Sequence, residues 1–115
     1  MVRPPYGSVN ARVLKALNVP AVLWSVDTLD WKSLNADAVC QHILNDTKDG
    51  SIILLHDIHA TSIPGALRGI DALRSQGYEL VTVSELLRRR GKEAVPGTKY
   101  FSAYGTSTLP GISKP

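Results

Sequence analysis

Two nearly continuous apolar runs, Ala21-Val22-Leu23-Trp24-Ser25-Val26 and Ser51-Ile52-Ile53-Leu54-Leu55, alternate with amphipathic stretches along this chain. Runs of that kind predict strands covered on both faces. Leu80-Val81-Thr82-Val83 predicts a shorter third strand. Between the runs, apolar positions fall at helical spacing. Val9, Val13, Ala16 and Leu17 form one face of a first helix, capped by Ser8 and ended by Asn18 and Pro20. Asn35 caps a second, whose stripe is Ala36, Val39, Cys40, Ile43 and Leu44. Ser62 caps a third, with Pro64 in its first turn, a face of Ile63, Ala66, Leu67, Ile70 and Leu73, and Gly77 at its end. Ser84 opens a last short helix that stops at Gly91.

Strands alternating with helices predict an α/β fold with parallel strands and right-handed crossovers. Three strands are too few for a closed barrel or a doubly wound sheet, so further strands are expected on the N-terminal side. The chain begins inside a dense motif and reads as part of a larger domain. Residues 1–91 form the patterned region; residues 92–115 carry three Gly and three Pro without periodicity and read as an irregular tail.

With 43% apolar residues the chain can bury a core. A net charge of +3 suits an anionic surface and is too small to argue for nucleic acid. Arg88-Arg89-Arg90 with Lys92 reads as a solvated helix end, where cations suit the macrodipole. The single Cys40 excludes an internal disulfide and falls on a helical stripe. No stretch is long enough to span a membrane.

Chemistry in parallel α/β folds gathers at the C-terminal ends of strands. Asp27, Asp30 and Trp31 follow the first strand; His56, Asp57 and His59 follow the second. Neighbouring strands would bring both groups to one rim. A carboxylate beside an imidazole fixes its tautomer and favours the proton-carrying form, which suits a general acid. The plainer alternative is a structural hydrogen bond at a strand end. His56 and His59 have a spacing seen in metal sites, but no third ligand accompanies them. Arg3-Pro4-Pro5-Tyr6-Gly7 is a stiff loop leading to a helix start, where backbone N–H groups can face an oxyanion and Arg3 can pair with a carboxylate. A stiff turn with an ordinary surface arginine would look the same.

Taken in order, Arg3-Pro4-Pro5-Tyr6-Gly7, Asp27-Thr28-Leu29-Asp30-Trp31 and Leu54-Leu55-His56-Asp57 resemble the third, fourth and fifth motifs of carbohydrate esterase family 4, the NodB-homology polysaccharide deacetylases. The resemblance implies the second half of a distorted (β/α) barrel that removes acetyl groups from N-acetylglucosamine polymers such as peptidoglycan or chitin, or from acetylated xylan. It makes His56 the general acid, Asp30 its orienting partner and Arg3 the holder of a catalytic-base aspartate. The Tyr6 backbone N–H becomes an oxyanion donor, and Trp31, Leu54, Tyr6 and Pro5 become substrate-lining residues. It also implies a divalent metal, zinc by family habit, and a secreted or cell-surface location. The family's first two motifs, with the base and the metal ligands, have no counterpart here. The metal ligands are therefore expected in an N-terminal half, supplied as a separate or cleaved chain, without which this chain would be inactive. A glycan-binding remnant of the same fold and an unrelated α/β domain are the competing readings.

Overall fold

The computed structural model describes residues 1–104. After a 3-10 turn at Pro5–Gly7 come α1 (Ala11–Leu17), β1 (Ala21–Val22), β2 (Val26–Asp27), α2 (Asp30–Ser33), α3 (Ala36–Asp46), β3 (Ile53–Leu54), α4 (Ser62–Ser75), α5 (Val83–Arg89) and β4 (Lys99–Tyr100). Strand β1 pairs in parallel with β4, and β2 pairs in parallel with β3. The fold is thus α/β with parallel strands, spread into a slab of 39 × 35 × 16 Å.

The single strand expected over residues 21–26 is divided between the two sheets. Leu23 N–H donates to Tyr100 O at 2.7 Å, whereas Ser25 N–H donates to Ile52 O at 2.9 Å. The chain changes partners between them, and Ser25 Oγ accepts the Ile52 N–H at 3.1 Å at the crossing. The third strand expected at residues 80–83 does not form. Leu80 is exposed, and Thr82 instead caps α5, its hydroxyl accepting Glu85 N–H at 3.2 Å. Part of the region read as an irregular tail is structural. It contributes β4, and Ala103 N–H then donates to Gly50 O at 2.8 Å. Gly50 has φ +95°, and a Cβ there would stand 2.4 Å from Ala103 O, so only glycine permits this approach. Residues 105–115 of the expected tail lie outside the described residues.

Caps decide the helix ends. Asn10, not Ser8, caps α1, accepting Val13 N–H at 2.8 Å. Asn35 caps α3 as expected, accepting from both Asp37 and Ala38. Val39 and Ile43 of α3 are buried against Leu73 of α4; each such side chain contributes about 2 kcal/mol by leaving water. The face that α4 turns to α3 differs from the expected one. Ser62, Gly65, Gly69 and Leu73 are buried, whereas Ile63 and Leu67 stay exposed. The glycines explain this: a Cβ at Gly65 would sit 2.7 Å from Ala36 O, and one at Gly69 would sit 2.8 Å from Ile43. Close approach of the two helices replaces side-chain interdigitation along that face.

The arginine run is also not a free cationic end. Arg88 and Arg89 pair with Glu85, and Arg89 also pairs with Glu79. Arg90 is buried and pairs with Asp49 at 2.5 Å. No described helix is long and apolar enough to cross a membrane.

Candidate active site

The pairing of β2 with β3 sets Val26 opposite Ile53 and Asp27 opposite Leu54. The residues that leave both strands therefore emerge side by side. Thr28 locks the exit: its fully buried hydroxyl donates to Leu54 O at 2.8 Å. Asp27 Oδ1 accepts Leu29 N–H at 2.9 Å, and Leu29 takes a left-handed conformation with φ 53°. A leucine there costs roughly 1–2 kcal/mol. The strained turn starts α2 one residue later and points Asp30 inward.

Asp30 is fully buried, and its carboxylate receives four hydrogen bonds. Oδ1 accepts His56 Nδ1–H at 2.8 Å and Trp31 N–H at 3.0 Å. Oδ2 accepts His56 N–H and the Ser62 hydroxyl, both at 2.6 Å. Burial pushes the Asp30 pKa upward, but the bonds from Ser62 and from the His56 ring and backbone outweigh it and hold the carboxyl below its ordinary value. An ionised carboxylate can only accept, so the hydrogen on the imidazole sits at Nδ1. Nε2 is left as the outward nitrogen of a ring that is 38% exposed.

His56 opens onto a surface cavity of about 470 Å³ shared with Leu55, Asp57, Ser62, Ile63 and Ala66. The His59 ring stands edge-on to His56, with centroids 6.0 Å apart. Among the described residues, no group of three or more His, Cys, Asp or Glu is placed to hold a metal ion.

No family model matches the chain. Among curated proteins, it is 44% identical over 100 residues to peptidoglycan-N-acetylglucosamine deacetylase PgdA of Listeria monocytogenes, a match covering 87% of this chain and 21% of that protein. It is 43% identical over 86 residues to peptidoglycan-N-acetylmuramic acid deacetylase PdaC of Bacillus subtilis, covering 75% of this chain and 18% of that protein. A solved T48 deacetylase with substrate superposes with a TM-score of 0.80 at 40% identity, over 86% of this chain and 49% of that one. A family 4 acetyl xylan esterase from Clostridium thermocellum, in complex with a cobalt ion, superposes with a TM-score of 0.76 at 30% identity, over 87% of this chain and 51% of that one.

This chain belongs to carbohydrate esterase family 4. It spans about half of these two solved chains and about a fifth of the two curated relatives. Of the residues that the family motifs single out, the structure unites His56 and Asp30. Trp31 is joined to them through its backbone N–H, and its side chain is 51% exposed beside the pair. Leu54, expected as a substrate-lining residue, ends strand β3. Strand alternation turns it into the core at 5% exposure, and Leu55 lines the cavity beside His56 instead. Arg3 donates to the Leu23 carbonyl at 3.2 Å and lines a different cavity, between β3 and residues 80–83. Partial burial lowers its pKa. Tyr6 is fully exposed. Among the described residues, no hydrogen bond or ring contact joins Arg3 or Tyr6 to the Asp30–His56 pair. Pro5 is described in its backbone alone.

Sequence reading missed Thr28 and Ser62. Ser62 looked like a cap, but the residue at the cap position is Thr61, which makes no side-chain capping bond. A signal was present: Ser62 shares the helical face of Gly65, Gly69 and Leu73, all buried.

Proposed function

We propose that this chain carries the general-acid side of a hydrolytic polysaccharide deacetylase acting on N-acetylglucosamine residues of a peptidoglycan- or chitin-like polymer. The observation that supports it most is the buried, ionised Asp30 gripping His56 Nδ1 while the half-exposed ring borders the cavity. When water has added to the acetyl carbonyl, collapse of the tetrahedral adduct expels the sugar amine, a poor leaving group unless protonated. His56, protonated at Nε2, donates that proton as the C–N bond breaks. Asp30 keeps the ring in place and fixes its tautomer.

In this reading Trp31 and Leu55 border the sugar, and the Tyr6 backbone N–H faces the oxyanion once the domain is complete. Arg3 would then exchange its carbonyl partner for the base carboxylate. The described residues do not fit a divalent metal. We accordingly assign the base and the ligands of a metal, zinc by family resemblance, to a preceding half of the domain. A wall polymer as substrate places the protein outside the cell membrane.

The decisive experiment joins this chain to an N-terminal half of a family 4 domain, with zinc or cobalt, and measures acetate release from N-acetylglucosamine oligomers. Release is expected from the pair, and His56→Ala should lower the rate roughly a hundredfold or more. An unchanged rate in the variant removes His56 from the mechanism. The superposition with an acetyl xylan esterase favours a second substrate, so acetylated xylan belongs in the same assay. Release from xylan alone would move the assignment from amide to ester cleavage.

A further inference from the structure

Bonded to Asp30 beside His56 lies a hydroxyl that the proposed mechanism does not use. Ser62 is 2% exposed at the start of α4, and its Oγ donates to Asp30 Oδ2 at 2.6 Å. The bond spans 32 residues of chain, so it is no local turn contact. The same Oδ2 accepts the His56 backbone N–H, and Oδ1 accepts the His56 ring. His56, just past β3, and helix α4 thus grip one carboxylate, with Ser62 fixing the rotation that aims Oδ1 at the imidazole.

We infer that Ser62 is a positioning residue for the acid, holding Asp30 ionised and correctly rotated so that His56 presents Nε2 to the substrate. Three observations carry this. A buried hydroxyl normally finds a partner, and here the partner is the buried carboxylate. Hydrogen bonds to an ionised acceptor are stronger than neutral ones. Finally, Gly65 and Gly69 let α4 settle close against α3, and Ser62 sits on that same buried face at the helix start. Among the described residues, His56 is the titratable group that acts on Asp30, and His59 stands behind His56.

The inference rests on the acid role proposed for His56, but it can be read without that role. In the full 115-residue chain, the Asp30 carboxyl carbon is followed by NMR against pH. Ser62→Ala should raise its titration midpoint by about one pH unit, since a charge-assisted bond is lost. Ser62→Thr, which keeps the hydroxyl, should restore it. Ser62→Cys keeps the volume with a weaker donor and should shift it in the same direction as alanine, which covers the case of an alanine variant that does not fold. In the assembled enzyme, Ser62→Ala should lower kcat about tenfold with KM unchanged. An Asp30 midpoint that stays fixed in both the alanine and the cysteine variants overturns the inference. If the wild-type assembly releases no acetate, the acid role fails, while the Asp30 midpoint still decides the role of Ser62.

Discussion

Asp30 and Tyr6 belong to two of the segments that carry the family motifs, yet they are held in opposite ways. Asp30 is fully buried and receives four hydrogen bonds, from α2, from His56 just past β3 and from α4. Tyr6 is fully exposed on a left-handed backbone at φ 57°, in a turn closed by Gly7 N–H donating to Pro4 O at 3.0 Å. The difference lies in what each segment leans on. Asp30 follows a strand whose neighbour, β3, delivers His56 within reach. The segment around Tyr6 is anchored by a bridge from Val2 to Ala21 and by no charged partner among the described residues. The Asp30–His56 side is therefore organised by this chain's own packing, whereas residues 3–7 rest on β1 and Leu23 and leave Tyr6 uncovered.

The largest test breaks the organised side. Asp30→Ala would strand the Ser62 hydroxyl and the His56 backbone N–H in a buried space. It should cost about 3 kcal/mol, read from urea unfolding of the chain. A loss under about 1 kcal/mol would mean that water replaces the carboxylate there and that the pocket is not rigid. The same group sets an acid limb. The Asp30 carboxyl is held below the roughly 3.9 of an unfolded aspartate, so on acidification the unfolded chain takes up the proton first. Its contribution is complete above about pH 4 and is lost as pH falls through the lowered native value. Stability followed from pH 6 downward should show that loss, and Asp30→Asn should lack it.

That organised side was also the more legible one. Asp30 and His56 follow consecutive apolar runs, and parallel strands that are close in sequence tend to be neighbours, so their meeting could be read from spacing. Asn35 and the Val39–Ile43 stripe were legible for the same reason: cap and period agree. What escaped reading depends on contacts far along the chain. Apolar periodicity counts large side chains, so it chose Ile63 and Leu67 for the α4 face, whereas Gly65 and Gly69 decided it by allowing close approach. Ser62 went with them, read as a cap because Ser at a helix start ordinarily is one. β4 comes from a stretch with no period, and its partner β1 lies about eighty residues earlier. Arg90 looked like a helix-end cation because nothing local announces Asp49.

A middle-sized test attacks the scaffold beneath the pair. Gly65→Ala removes a helix-weakening glycine, worth up to about 1 kcal/mol in its favour. The new methyl, however, would stand 2.7 Å from Ala36 O and 2.8 Å from Val39 Cβ. Backbone yields little, so overpacking should win by about 2 kcal/mol net, read as a lower urea midpoint. The displacement should also weaken the Ser62–Asp30 bond, seen as a higher Asp30 titration midpoint. A neutral or stabilising result would show that α3 and α4 are free to part and that Ser62 does not depend on their approach.

The smallest effect, and the sharpest on the comparison, comes from the uncovered Tyr6. Tyr6 holds φ 57° with its side chain fully exposed, so replacing it loses no packing in this chain. Tyr6→Gly relieves the left-handed strain at some cost in unfolded-state entropy, and should raise stability by roughly 0.5–1 kcal/mol. Tyr6→Ala keeps a Cβ at the same φ and should change stability by less than about 0.5 kcal/mol. If glycine does not stabilise, the turn is unstrained and residues 3–7 are as settled as Asp30. If glycine stabilises the chain and also slows acetate release in the assembled enzyme, the strain at Tyr6 aims a backbone N–H at work done only in the completed domain. Asp30 admits no such separation, because each of its replacements weakens the fold and loosens His56 together.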